Sequence, residues 1–243
     1  MKLLVDAGNS RLKWAWWDGT VLDGVSAVAN TGMDVSALWT NGQNADSVWI
    51  ASVASTAANA ALAATARDRF GVEPVFAVPR ARACGVRIAY VQPENLGVDR
   101  FLGLIAAHAH QQAPTVIASC GTALTLDALA ADGAHLGGLI AAGPQLAQDV
   151  LRGGTARLAA VPAGRVVEIA DNSADAIESG TWLSAAALIG RFVAQTARRL
   201  DSAPALILTG GGAARLSPWL DVPHRIDAEL VLRGLARLAD AGA

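Results

Sequence analysis

The sequence predicts an α/β protein of two similar lobes, each a mixed sheet flanked by helices, facing a shared cleft. Three observations carry this. First, an apolar run at Leu3, Leu4 and Val5 crosses a turn of Asp6, Ala7, Gly8, Asn9 and Ser10 into a second run from Leu12 to Trp17, the pattern of a β-hairpin. Second, another hairpin recurs half a chain later, Thr115 to Ser119 and Ala123 to Ala128 around Cys120, Gly121 and Thr122. Third, strand-like runs alternate with helical patterns after each hairpin, as crossover connections require. The boundary is expected between lobes 1–113 and 114–243.

In the first lobe, Val21 to Ala29 predicts a third strand and completes a meander. Asp34 to Trp39 reads as a short helix, Ser47 to Val53 as a strand, and Ala57 to Phe70 as an Ala-rich helix stopped by Gly71. Pro74 to Val78 reads as a short strand, and a further strand pattern passes through Val86, Ile88 and Tyr90. Asn95 is placed to cap a helical pattern from Phe101 to His110, which puts Asp99 and Arg100 in its first turns. In the second lobe, His135 to Ile140 supplies a third strand and Gln145 to Leu151 a helix. Asn172 and Ser173 precede a helix that passes Gly180 and runs toward Leu200. Pro204 to Leu208 is a last buried strand entering Gly210, Gly211 and Gly212, and Ala228 to Ala239 closes the chain as a helix.

Composition removes several classes of function. The chain is 53% apolar over 243 residues but rich in Ala and Gly, and no stretch supplies the ~20 strongly apolar residues of a membrane span. Asp6 interrupts the N-terminal apolar run too early for a signal peptide, so a cytoplasmic protein with no membrane partner is expected. A net charge of −2 without a Lys/Arg cluster argues against a nucleic-acid partner. Cys84 and Cys120 make neither a disulfide framework nor a cysteine metal site. His108 and His110 point to different faces of a helix, and His135 and His224 stand isolated. Trp14 and Trp16 share a strand face, which suits a core or subunit interface better than a platform for bases.

The candidate chemistry lies at the turns. A carboxylate ending a buried strand is costly unless paired or bound to a cation, so Asp6 is a candidate for Mg²⁺, a hard ion that bridges carboxylate and phosphate. Gly8 permits close backbone approach, Asn9, Ser10 and the turn amides are placed to donate to phosphate oxygens, and Lys13 adds a point charge. An ordinary hairpin with a polar turn is the alternative. Asp99 and Arg100 read either as a pair favouring the helix dipole or as a carboxylate aimed at a substrate hydroxyl beside an anchor for an anion. The three glycines at 210–212 would let a flat ligand lie against bare backbone, although such turns are common in α/β proteins.

Taken together, Asp6-Ala7-Gly8-Asn9-Ser10, Gly97-Val98-Asp99-Arg100, Gly121-Thr122-Ala123-Leu124-Thr125-Leu126-Asp127, Gly137-Gly138, and Asn172-Ser173 with Gly180 resemble the acetate and sugar kinase, actin and heat-shock chaperone superfamily. Within it they are similar to the type III pantothenate kinase family. The resemblance implies two ribonuclease H-like lobes (the actin-like ATPase fold) with an inter-lobe cleft. It implies ATP-dependent phosphorylation of the primary hydroxyl of pantothenate to 4'-phosphopantothenate, the first step of coenzyme A biosynthesis. Residue by residue, it implies ATP and its phosphates at Asp6, Ala7, Gly8, Asn9, Ser10, Arg11, Leu12, Lys13 and Thr122, with Mg²⁺ on Asp6 and Asp127 as a second metal candidate. Pantothenate would be held by Gly97, Val98, Asp99 and Arg100 with Asp99 as general base, by Ser173 where the family has Thr, and by Tyr90 as in some members. A homodimer with pantothenate near the subunit interface is implied as well.

Three departures stand out. Ser119 replaces an acid that binds an activating monovalent cation in many members, which leaves a K⁺ or NH4⁺ requirement open. Ser173 keeps the hydroxyl and loses the methyl, and Ala142-Gly143 followed by Pro144 replaces the usual Pro-Gly. The alternatives are a non-catalytic nucleotide-binding regulatory protein and a kinase of the same superfamily acting on another small alcohol.

Overall fold

A computed structural model describes residues 1–29, 38–39, 42–155 and 157–242. In chain order the strands are β1 (Lys2–Ala7), β2 (Arg11–Trp17), β3 (Leu22–Ala29), β4 (Ser47–Ser52), β5 (Val75–Phe76), β6 (Arg82–Ala83), β7 (Val86–Arg87), β8 (Thr115–Cys120), β9 (Ala123–Leu129), β10 (His135–Ala142), β11 (Ala205–Thr209) and β12 (His224–Ile226). The α-helices are α1 (Thr56–Phe70), α2 (Val98–His110), α3 (Pro144–Gly154), α4 (Ser173–Leu200), α5 (Ala213–Leu216) and α6 (Leu230–Asp240). The chain divides into one unit of 1–112, 132–135 and 229–243 and a second of 113–131 and 136–228. Among the described residues no helix is long and apolar enough to cross a membrane.

The first unit holds a five-stranded sheet in the order β3-β2-β1-β4-β5. β1 runs antiparallel to β2 and parallel to β4. Leu3, Leu4 and Val5 are all fully buried, so both faces of β1 are covered and its sequence reads as a continuous apolar run without alternation. Leu3, Val5, Leu12, Trp16, Val48 and Ile50 form a core with Leu62 and Ala66 of α1. That helix begins at the Ser55 cap and ends where Gly71 takes a left-handed φ of 67°. A second apolar layer comes from α2 and α6, which cross at Gly234, where a Cβ would lie 2.0 Å from the Leu102 carbonyl oxygen. Trp16 is core, and Trp14 packs against it.

The second unit repeats the plan, with a five-stranded sheet in the order β10-β9-β8-β11-β12. β8 takes the place of β1, antiparallel to β9 and parallel to β11. Val116, Ala118, Leu124, Leu126, Leu206 and Leu208 pack on Trp182, Ala185 and Ile189 of α4. The duplicated hairpin legible in the sequence is thus a duplicated sheet.

Several expectations change. The 86–90 strand shrinks to Val86–Arg87, paired with Arg82–Ala83 and bridged at Arg87 to Ala134, so Ile88 and Tyr90 lie outside it. Asn95 does not cap α2: it closes a 3₁₀ turn at Pro93–Asn95 with its side chain on Gln92, and Gly97 occupies the cap. β12 has no signature in the sequence pattern, being three residues of mixed polarity added to the sheet edge. The closing helix, expected in a lobe of 114–243, belongs with the first unit. There Leu230, Leu232, Leu235 and Leu238 are buried, and Lys2 Nζ donates to the Ala239 carbonyl and to Asp240, both at 2.8 Å. Most of the helix expected at Asp34 to Trp39 lies outside the described residues.

Candidate active site

In the first hairpin, Asp6 is in register with Lys13 on β2 and Ala51 on β4. Its half-buried carboxyl is pushed up to about 6, first by burial; the charge of Lys13 opposes the shift and that of Asp99 adds to it. The chain thereby brings Asp6, Lys13 and Asp99 into one electrostatic neighbourhood. The turn closes with Gly8 N–H donating to the Arg11 carbonyl at 3.0 Å, which commits that amide inside the turn. Asn9, Ser10 and Arg11 are exposed at the tip, whereas Ala7 and Leu12 are ladder partners turned into the core. The polar side chains of this turn and its flank are thus those of Asn9, Ser10, Arg11 and Lys13, while those of Ala7 and Leu12 are buried.

The second constellation surrounds the start of α2. Gly97 is the cap residue, and a Cβ there would lie 2.6 Å from Asp99 Oδ1, so this glycine makes room for the carboxylate. Asp99 Oδ1 accepts the Arg100 N–H at 2.9 Å, and Asp99 is half-buried. Val98 and Arg100 are buried. A buried guanidinium needs hydrogen-bond partners, and Arg100 Nη1 donates to the Tyr90 hydroxyl at 3.0 Å. The Tyr90 ring in turn stacks on His135, with centroids 6.0 Å apart and planes at 24°. His135 is isolated in sequence, and no local pattern pairs it with a tyrosine 45 residues away.

In the second unit, Gly121 and Thr122 are exposed at the β8–β9 turn. Gly143 N–H donates to the Thr122 carbonyl at 3.0 Å, and a Cβ at Gly143 would lie 2.2 Å from the Gly121 oxygen, which explains a glycine after β10. Of the three glycines after β11, Gly210 and Gly212 close onto Cys120, where a Cβ would meet its oxygen at 2.5 Å and its Sγ at 2.6 Å. Gly211 alone of these three faces open space. Cys120 is buried, and burial raises its thiol to about 11, consistent with packing rather than chemistry. Ser119 is half-buried beside Thr125 and Thr209 in register. Asn172 caps α4 by accepting the Asp175 N–H at 2.9 Å, which leaves the Ser173 hydroxyl exposed.

Asp127 is buried on β9 opposite Ile117 and belongs to the second unit, whereas Asp6 belongs to the first. Among the described residues no three His, Cys, Asp or Glu side chains gather as a metal cluster. A single half-buried carboxylate such as Asp6 is compatible with Mg²⁺, since that ion commonly takes one or two carboxylates and fills its octahedron with water and phosphate oxygens.

Two units of identical strand order, each opened by an antiparallel hairpin with a polar turn, define the actin-like ATPase and sugar-kinase fold. Solved structures agree. A Campylobacter jejuni protein described as a Baf family transcriptional activator superposes with a TM-score of 0.66 at 18% identity, covering 99% of this chain and 98% of its own. A Sinorhizobium meliloti protein assigned as a 2-dehydro-3-deoxygalactonokinase superposes with a TM-score of 0.55 at 16% identity, covering 99% of each chain. Sequence comparison narrows the class, and the chain belongs to the type III pantothenate kinase family, whose model matches residues 2–195. The type III pantothenate kinase of Xanthomonas campestris pv. campestris (strain 8004) is 43% identical over 97% of this chain and 96% of its own length. That of Chromobacterium violaceum is 39% identical over 99% and 100%.

Proposed function

We propose that this chain transfers the terminal phosphoryl group of ATP to the primary hydroxyl of pantothenate, giving 4'-phosphopantothenate, the first step of coenzyme A biosynthesis. The observation that carries the site assignment is the Asp99 carboxylate, seated by Gly97 at the start of α2 and within electrostatic reach of Asp6. Family membership over the whole chain supports the substrate.

In this reading Asp99 takes the hydroxyl proton as the oxygen attacks phosphorus, a role worth about 10²–10⁴-fold. Arg100, tied to Tyr90, anchors the carboxylate of pantothenate, and the Ser173 hydroxyl makes a further substrate contact. Asn9, Ser10, Arg11, Lys13 and Thr122 receive the ATP phosphates. Asp6 would hold Mg²⁺, which would supply neutralisation of phosphate charge. With Ser119 at the position of the acid in many members, turnover is independent of K⁺ and NH4⁺. Leu139, Ile140, Val150 and Leu151, exposed on β10 and α3, support a homodimer, to be read by analytical ultracentrifugation. The site of action is the cytoplasm.

The test is ATP- and Mg²⁺-dependent phosphate transfer to pantothenate by the purified protein, with Asp99→Asn alongside and other small alcohols as competitors. Phosphopantothenate from the wild type and a loss of about 10²–10⁴-fold in the variant are expected. Tight ATP binding without transfer to pantothenate would point to another alcohol or to a regulatory protein.

A further inference from the structure

We propose that His135 is a positioning residue for the pantothenate end of the site, setting the ring of Tyr90 and, through its hydroxyl, the guanidinium of Arg100. This rests on the reading of Tyr90 and Arg100 as pantothenate contacts.

Beyond Ile88, whose N–H donates to the Ala81 carbonyl at 3.0 Å, the segment that carries Tyr90 has little backbone support. Strand pairing stops at Arg87, Ala89 to Val91 joins no strand, and Val91 is fully exposed. What holds Tyr90 is the tip of the β9–β10 connection, residues 132–135. Arg87 grips that tip three times, with Nη2 on Asp132 Oδ2 at 2.7 Å, Nη1 on the Asp132 carbonyl at 3.1 Å, and its backbone N–H on the Gly133 carbonyl at 2.9 Å. Gly133 has φ +79°, and a Cβ there would lie 2.1 Å from the Gly85 oxygen, so backbone meets backbone.

The clamp delivers His135 beneath Tyr90. The imidazole is 4% exposed, its Nδ1 faces the Ala89 N–H at 3.5 Å, and its ring is near-parallel to the tyrosine. With one ring face on His135 and its hydroxyl accepting from Arg100 Nη1 at 3.0 Å, Tyr90 is held at two points, and Arg100 inherits that placement. A stacked pair of this kind accounts for roughly 2- to 10-fold in an equilibrium.

Tyr90 is the single tyrosine of the chain, so uniform 3-fluorotyrosine labelling yields one ¹⁹F resonance that reports this position. Pantothenate is titrated into labelled wild type, His135→Ala and His135→Phe, with thermal melts and steady-state kinetics in parallel. In His135→Ala the ligand-free resonance should move, and the Kd and KM for pantothenate should rise roughly 2- to 10-fold. Its kcat and its affinity for ATP should stay near wild type, and His135→Phe, which restores a flat ring, should recover most of the loss. A pure packing role would lower the melting temperature without this split between KM and kcat. If His135→Ala does not fold, His135→Leu is compared with His135→Phe, and equal pantothenate affinities for the two overturn the proposal. Wild-type resonance and affinity in a folded His135→Ala overturn it directly. If the wild type phosphorylates pantothenate but the ligand leaves the Tyr90 resonance unmoved, the assignment of Tyr90 fails, and this proposal with it, while the kinase activity stands.

Discussion

Gly97→Ala tests the position of Asp99 without touching its chemistry. The backbone at Gly97, with φ −56° and ψ 137°, suits any residue, so no conformational strain is added. The only obstacle is Asp99 Oδ1, 2.6 Å from the new Cβ, where ordinary contact begins at 3.4 Å, so the oxygen must retreat by about 0.8 Å. That movement loosens its hydrogen bond from the Arg100 N–H, now 2.9 Å. A bond to a charged group contributes about 1.5–3 kcal/mol, less at a half-exposed site, and alanine returns about 0.4–1 kcal/mol through the unfolded state. The net cost is about 1 kcal/mol, a drop of about 2–4 °C in Tm. Turnover should suffer far more, because a displacement near 1 Å in a catalytic group lowers rates by about 10²-fold. ADP release with saturating pantothenate, measured beside a thermal melt, should give a kcat down by about that factor, an unchanged KM for ATP and a nearly intact fold. A kcat within about twofold of wild type would refute the claim that α2 aims this carboxylate at the reacting hydroxyl.

Other consequences are open to measurement. The Asp6 carboxyl stands at about 6 against an ordinary 3.8, so the fold favours its protonated form and that stabilising contribution is lost as pH rises through 6. Asp6→Asn cannot ionise, so its Tm relative to wild type should improve between about pH 4.5 and about pH 8, and a difference independent of pH would contradict the assignment. Over the same range, calorimetric affinity for Mg²⁺–ATP should fall as pH drops below 6, by up to about tenfold per unit, because protons compete with the cation. Glu178 is buried in α4, where it accepts from Trp182 Nε1 at 2.9 Å and pairs with Arg215, whose guanidinium lies 4.6 Å from the Trp182 ring centroid. Arg215→Ala leaves a buried carboxylate with the indole alone, and at about 2 kcal/mol for this half-exposed partner the Tm should fall by about 4–8 °C. Exchange of K⁺ for Na⁺ should leave turnover unchanged, and a strong response would place a cation site around Ser119.

Much was readable from local pattern because local physics decides it. Leu3 to Val5 and Val116 to Ala118 are apolar without alternation since each lies in a strand buried on both faces, and the Gly-containing turns after them admit little but hairpins. Gly71, the expected stop of α1, ends it through a left-handed backbone geometry that belongs to glycine itself, whereas the start at the Ser55 cap had no such reading. Gly97-Val98-Asp99-Arg100 was legible as a unit because a glycine beside an acid at a helix start is a matter of near neighbours in the chain.

What only the tertiary structure decided are the long-range pairings, whose cause lies in the partner and not in the segment. Asn95 had the composition of a cap, yet the chain geometry at Pro93 drew it into a tighter turn and left the cap to Gly97. Gly210 and Gly212 read as room for a ligand, and it is Cys120, 90 and 92 positions away, that requires them to be bare. The closing helix has an apolar stripe that any sheet face would satisfy. Its home in the first unit follows from Lys2, Trp17 and Leu102, contacts made across most of the chain. His135 took its meaning in the same way: a lone histidine in the sequence, it lies under Tyr90 because Arg87 holds the turn that carries it.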